Sequence, residues 1–264
     1  MISSPAPATG CHPTDVRNEP PSDKPYASIK DGELSLRFHA GATQSRMRRE
    51  QPDDLVLAYT RLLMGFQLFL PQARRVAMIG LGGGSIAKYA LRHLRLEKFV
   101  AVENNPDVIA MRRQFCIPPD SERFQVIEEN GGAFVQSATD AFDVLIVDAF
   151  TREGMPPQVC NAAFYDHCFS RLAPAGGVLA LNFHASEENF DLYVARLRES
   201  FSDKVICIET EPLTNRVVFA GTAGDFPPRR GVLRARAAAL TKSQPINFRA
   251  IANKIITRDR DSYR

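Results

Sequence analysis

Residues 76–85, VAMIGLGGGS, run from an apolar stretch into a cluster of glycines. Gly80, Gly82 and Gly84 let a backbone turn approach a ligand with no Cβ in the way. A helix opening at Ser85 aims its free N–H groups and positive dipole end at the same spot. Read from Gly82, the turn also fits a loose G-x-G-x-x-A ending at Ala87, so dinucleotide binding stays open. A tight turn holding no ligand stays open too.

The residues further along narrow the chemistry. Glu103 closes the next apolar run, FVAVE, about 20 residues beyond the glycines, the spacing at which nucleotide-binding α/β folds place a ribose-binding acid. Its carboxylate can accept both ribose hydroxyls; the plainer alternative is a capping acid. Asn130-Gly131 follows the run FQVIE. An amide there can hydrogen-bond an adenine edge, and Asn also caps helices; neither role excludes the other. Asp148 ends DVLIVD, behind Leu145, Ile146 and Val147. Partial desolvation raises a carboxylate's pKa, which suits a base that deprotonates an attacking amine. An acid that merely holds a loop has the same pattern.

Other chemistries lack their residues. The five histidines make no HxH or HExxH, and the five cysteines are scattered without a CxxC, so no metal site is expected. Odd, unpaired cysteines suit a reduced compartment. Arg229, Arg230, Arg234 and Arg236 form a basic run, expected as a solvated helix face. A net charge of +3 over 264 residues calls for neither nucleic acid nor membrane. The start of the sequence has no apolar core, so no signal peptide is expected, and the predicted location is cytoplasmic.

These residues need a scaffold that gathers them. Apolar strands at 76–80, 99–103, 124–128, 143–150 and 177–183 alternate with helices at 85–95, 106–115, 131–138, 161–172 and 187–200. That pattern predicts a parallel sheet covered on both faces. Strands 204–209 and 216–221 are separated only by TEPLTN, too short for a parallel crossover. The fold class is therefore α/β: a class I S-adenosylmethionine-dependent methyltransferase-like (Rossmann-like) sheet, mostly parallel, with a terminal antiparallel hairpin. This ending matches a methyltransferase-like sheet better than a dehydrogenase sheet.

The expected organisation is a disordered segment at 1–25, a small β-hairpin domain at 26–52, the nucleoside-binding domain at 53–226 and a basic, partly helical tail at 227–264. The hairpin is read from YASIKDGELSLRF, turning at Asp31-Gly32. A single core helix is predicted over 53–70, ended by Pro71.

The order of parts resembles the spermidine synthase (polyamine aminopropyltransferase) family. The hairpin, Gln44-Ser45, a helix with Tyr59, IGLGGGS, VEN, ENG, VDAF and Phe164-Tyr165 carry the likeness over roughly residues 26–222. The resemblance implies a small N-terminal β domain and a co-substrate of the S-adenosylmethionine type, decarboxylated in the true synthases. It places the glycine turn at the thioether end, Glu103 at the ribose, Asn130 where the family usually has an Asp facing adenine, and Gln44 near the nucleoside. Asp148 matches the first aspartate of the family's D-S-S-D-P, its proposed base, while Tyr59 and Thr151 fall on the acceptor side.

The departures gather on that acceptor side. The family's G-G-G-D-G-G has Gly83 at its acid, the second aspartate of D-S-S-D-P is Thr151, and Tyr-x-Glu reads Tyr59-Thr60-Arg61. A polyamine pocket needs carboxylates to offset desolvation of its cations. The expected activity is aminopropyl transfer to a small-molecule amine, with methyl transfer to another nucleophile and a non-catalytic nucleoside-binding protein as alternatives. A homodimer is left open.

Overall fold

The structure, a computed structural model, describes residues 24–38, 43–150 and 154–261. Thr151 and most of the segment expected to be disordered lie outside the described residues.

β1 (Tyr26–Lys30) and β2 (Glu33–Arg37) form the hairpin read from the sequence, turning through Asp31 and Gly32, both at positive φ. A third antiparallel strand, β3 (Thr43–Arg48), extends it to a three-stranded sheet. Alternation in TQSRMR turns Ser45 and Met47 inward. Ala27, Leu34, Leu36 and Met47 join the core beneath the main sheet. The β2–β3 pairing shifts register: Leu36 faces Ser45 and Arg37 faces Thr43, so Gln44 is the extra residue of a bulge.

The helix predicted over 53–70 is two short ones, α1 (Ala58–Leu63) and α2 (Phe66–Phe69). The chain bends at Gly65, where a Cβ would stand 2.7 Å from the Leu62 carbonyl oxygen and 3.2 Å from Phe219. The bend lets Leu63, Met64, Phe66 and Leu68 all be buried completely, which one straight amphipathic helix cannot do.

The main sheet follows in the expected alternation: β4 (Arg75–Ile79), α3 (Ser85–His93), β5 (Lys98–Glu103), α4 (Pro106–Ala110), β6 (Phe124–Glu128), α5 (Gly131–Ser137), β7 (Val144–Val147), α6 (Ala162–Arg171), β8 (Val178–His184) and α7 (Phe190–Ser200). α4 is shorter than the predicted 106–115, the remainder continuing as turns. β9 (Val205–Glu209) and β10 (Asn215–Gly221) complete the sheet in the order β6-β5-β4-β7-β8-β10-β9. The first five of these strands are parallel, and β10 runs antiparallel to both β8 and β9. The α/β, methyltransferase-like sheet with a terminal hairpin is therefore present.

Two cores cover its faces. Val76, Met78, Ala101 and Ile146 pack on one side; Ala77, Ile79, Val102 and Leu145 pack on the other. Residues 227–264 supply α8 (Arg230–Ser243) and α9 (Phe248–Asp261). Leu233, Ala237 and Leu240 of α8 and Ile251 and Ile255 of α9 are buried at helical spacing in the first core. Arg236, expected on a solvated face, donates to the Leu68 and Phe69 carbonyls at 2.9 and 2.7 Å, satisfying the end of α2. No helix among the described residues is long and apolar enough to cross a membrane.

Candidate active site

The chain leaves β4 for β5 and β6 on one side and returns to β7 on the other. Open α/β sheets bind ligands where the strand order reverses in this way, outside the carboxyl ends. Ile79, Glu103, Glu128, Val147 and His184 mark that edge.

The glycine turn is built for close approach. Gly80, Gly82 and Gly84 have φ of 94°, 52° and 65°. A Cβ on Gly80 would overlap the Asp148 carbonyl oxygen, so glycine is what lets β4 and β7 end side by side. Gly84 caps α3 without a side-chain acceptor, leaving the first-turn N–H groups to a ligand. Glu103 locks the turn from β5: its Oε2 accepts the Leu81 amide at 3.0 Å, and its Oε1 accepts the Asn105 amide at 3.0 Å. Each oxygen keeps a second lone pair for a hydroxyl donor.

Asn130 does the capping job. Its Oδ1 accepts the Gly132 and Ala133 amides at 2.9 and 3.2 Å, so the cap uses the oxygen and not Nδ2. Gly131 lies against Ile79, where a Cβ would overlap the Ile79 side chain. Gln44 arrives from the small sheet on the β3 bulge. Its neighbour Ser45 lies against the glycine turn, its Cβ 3.7 Å from where one on Gly82 would stand. Bulges re-aim side chains at sites of this kind.

Asp148 stands across the switch point from these groups. Burial raises its carboxyl to about 6, against hydrogen bonds from Asn182 and Tyr59 that favour the ionised form. Burial, with the Asp148 charge beside it, raises the Tyr59 hydroxyl, which stays protonated and donates to Asp148. Asn182 Nδ2 donates to Asp148 Oδ1 at 2.9 Å, and Asn215 Nδ2 donates to Asn182 Oδ1 at 3.0 Å. Neither asparagine was singled out from the sequence. The available signal was an amide inside the apolar run GVLALNF and another opening RVVFAG's strand.

His184 is exposed at the end of β8, edge-on to Phe150 with ring centroids 4.4 Å apart. Arg61 points back along its own loop, donating to the Leu55 and Val56 carbonyls at 2.5 and 2.8 Å. At Gly83 there is no room for a side chain: a Cβ would lie 2.7 Å from Ser45 Oγ and 2.8 Å from Phe115 Cδ1. Among the described residues no group of three His, Cys, Asp or Glu is placed to hold a metal ion.

The chain is similar to known proteins in sequence and in fold. Residues 56–208 match the spermine/spermidine synthase domain. A polyamine aminopropyltransferase of Neisseria meningitidis is 30% identical over 218 residues, covering 81% of this chain and 82% of that protein. A probable spermidine synthase from Corynebacterium glutamicum superposes with a TM-score of 0.68 at 19% identity, covering 88% of this chain and 91% of that one. A spermidine synthase in complex with the transition-state analogue AdoDATO gives a TM-score of 0.61 at 22% identity, covering 78% and 77%. The domain match spans more than half of the chain and the sequence relative most of it, so this chain belongs to the spermine/spermidine synthase family of transferases.

Proposed function

We propose that the chain transfers an aminopropyl group from decarboxylated S-adenosylmethionine to a small-molecule amine. The observation that carries this reading is the placing of a half-buried carboxylate, Asp148, raised to about 6, at the strand end beside the glycine turn.

The residues present fit such a co-substrate. The amides of the glycine turn and α3 suit the ribose and thioether end, Glu103 retains acceptors for ribose hydroxyls, Asn130 Nδ2 suits adenine, and Gln44 closes over the nucleoside. By their match to the family's motifs, Tyr59 and Thr151 are assigned to the acceptor side.

Asp148 takes the proton that an alkylammonium must lose before its nitrogen has a lone pair. The new bond is C–N; the broken bond is C–S at the sulfonium, whose electron pair stays on sulfur. The leaving group departs neutral and needs no acid. Raising Asp148 from 3.8 to about 6 narrows its gap to an alkylammonium near 10 by about two units. The remaining work is positioning.

Calorimetric titration with S-adenosylmethionine, its decarboxylated form and methylthioadenosine tests the reading, alongside product analysis with an amine panel. Tighter binding and turnover of the decarboxylated form are expected. Preference for the intact form, with methylated product, overturns it in favour of methyl transfer. Binding of none supports a scaffold.

A further inference from the structure

We infer that Asn215 is a positioning residue for the reaction: its side-chain amide fixes Asn182 in the one orientation that donates to Asp148. The inference rests on the reading of Asp148 as the base.

A carboxylate only accepts hydrogen bonds, so Asn182 must turn Nδ2 toward Asp148. Its Oδ1 then faces β10, where Asn215 Nδ2 donates to it at 3.0 Å. Rotated by half a turn, the same amide would set its oxygen against the carboxylate. Asn215 blocks that rotation, because its Nδ2 would meet another N–H₂ group.

Asn215 is itself held. It opens β10 opposite His184, with Val217 opposite Asn182, so Asn215 and Asn182 are diagonal neighbours on one sheet face. Its backbone N–H donates to Thr210 Oγ1 at 3.0 Å, and its carbonyl accepts the Thr210 N–H at 3.0 Å. Asn182 and Asn215 are 1% and 8% exposed. In such surroundings a misaligned amide acts strongly on a neighbouring charge. Adjacent positions on this face are apolar: Ala180, Val217 and Phe219. Two amides matched donor to acceptor, ending on the base, are what sets this row apart. Among the described residues, Tyr59, from α1, also hydrogen-bonds Asp148.

The test is the pH dependence of kcat/KM for the amine, which reports the pKa of the amine-free enzyme, at saturating decarboxylated S-adenosylmethionine, for wild type, Asn215→Leu, Asn215→Asp and Asp148→Asn, with Tm measured alongside. The wild-type profile is expected to fall on the acid side with a midpoint near 6, a limb that Asp148→Asn abolishes. Asn215→Leu frees Asn182 to rotate, moving the midpoint up by about half to one pH unit. The value at pH 5.5 then drops by roughly three- to tenfold while that at pH 8.5 stays within about twofold. Asn215→Asp, which accepts where Asn215 donates, moves it further.

A profile merely scaled down, its midpoint unmoved in both Asn215 variants, overturns this inference and leaves the base reading standing. A limb that survives Asp148→Asn overturns both. If the variants do not fold, side-chain amide resonances of the wild-type chain decide. Those of Asn182 and Asn215 should shift together with the Asp148 titration; a pH-independent Asn215 resonance overturns the inference.

Discussion

Glu103 binds the Leu81 amide with one carboxylate oxygen and the Asn105 amide with the other, both at 3.0 Å. The acid at the end of β5 therefore shapes the glycine turn as well as facing the crevice. Glu103→Ala should weaken nucleoside binding by about 1–3 kcal/mol, the scale of a hydrogen bond to a charged group. It should also lower Tm, since two amides lose their acceptor. Glu103→Gln offers one acceptor oxygen and should fall between. Calorimetry on the folded variants checks this, and unchanged affinity removes Glu103 from the site.

Asp148→Asn should cut turnover by about 10²–10⁴-fold while leaving nucleoside affinity close to wild type. Stability gives a second readout. The folded carboxyl is raised to about 6 from 3.8, so the native state holds the proton more tightly than the unfolded chain. Stability is then greatest with the carboxyl protonated and is lost as pH rises through 6. At pH 8 Asp148→Asn should stabilise the fold by about 1–3 kcal/mol, and the gain should vanish by pH 4. Denaturant melts at both values decide. Equal stability at pH 8 would show an Asp148 that is not desolvated.

Much of this site is legible because its parts are local. A strand end followed by glycine or a short polar residue announces Gly80, Glu103, Asn130 and Asp148 within a few residues each. Asn182 and Asn215 are not local in that sense. They meet 33 residues apart through the β8–β10 register, which no spacing rule prints. β3 is not legible because TQSRMR is almost wholly polar, Met47 being its one apolar side chain. The break at Gly65 answers to Phe219 and Ile251, residues that reach it only in the fold. In α8 and α9 the basic composition masked a regular apolar stripe.

Gly80→Ala should be more damaging than its size suggests. Its φ of 94° is strained for any L side chain, and the added Cβ would overlap the Asp148 carbonyl oxygen. Backbone strain alone costs on the order of 1–3 kcal/mol, and relief by moving the end of β7 displaces the base. Tm, nucleoside affinity and turnover should all fall together. A variant that loses only affinity would show that the two strand ends move independently.

The acceptor side carries the last prediction: putrescine should be a poor substrate. Its two ammonium groups need two partners, and Asp148 supplies one. Losing a charge-assisted hydrogen bond costs about 1.5–3 kcal/mol, roughly 10- to 100-fold. Restoring the missing acids is not equally feasible at the three positions. A side chain at Gly83 meets Ser45 and the buried Phe115 ring, and Arg61→Glu removes the donor that ties down the Leu55 and Val56 carbonyls. Thr151→Asp is the restoration that the family's D-S-S-D-P implies, and it leaves Gly83 and Arg61 as they are. It should therefore raise putrescine turnover by about tenfold, whereas adding Gly83→Asp and Arg61→Glu should lower Tm by about 5 °C or more. The assay is product formation from decarboxylated S-adenosylmethionine and putrescine, for wild type, Thr151→Asp and the triple variant. Fast putrescine turnover by the wild type would sink the idea, because a single carboxylate would then suffice for a doubly charged acceptor.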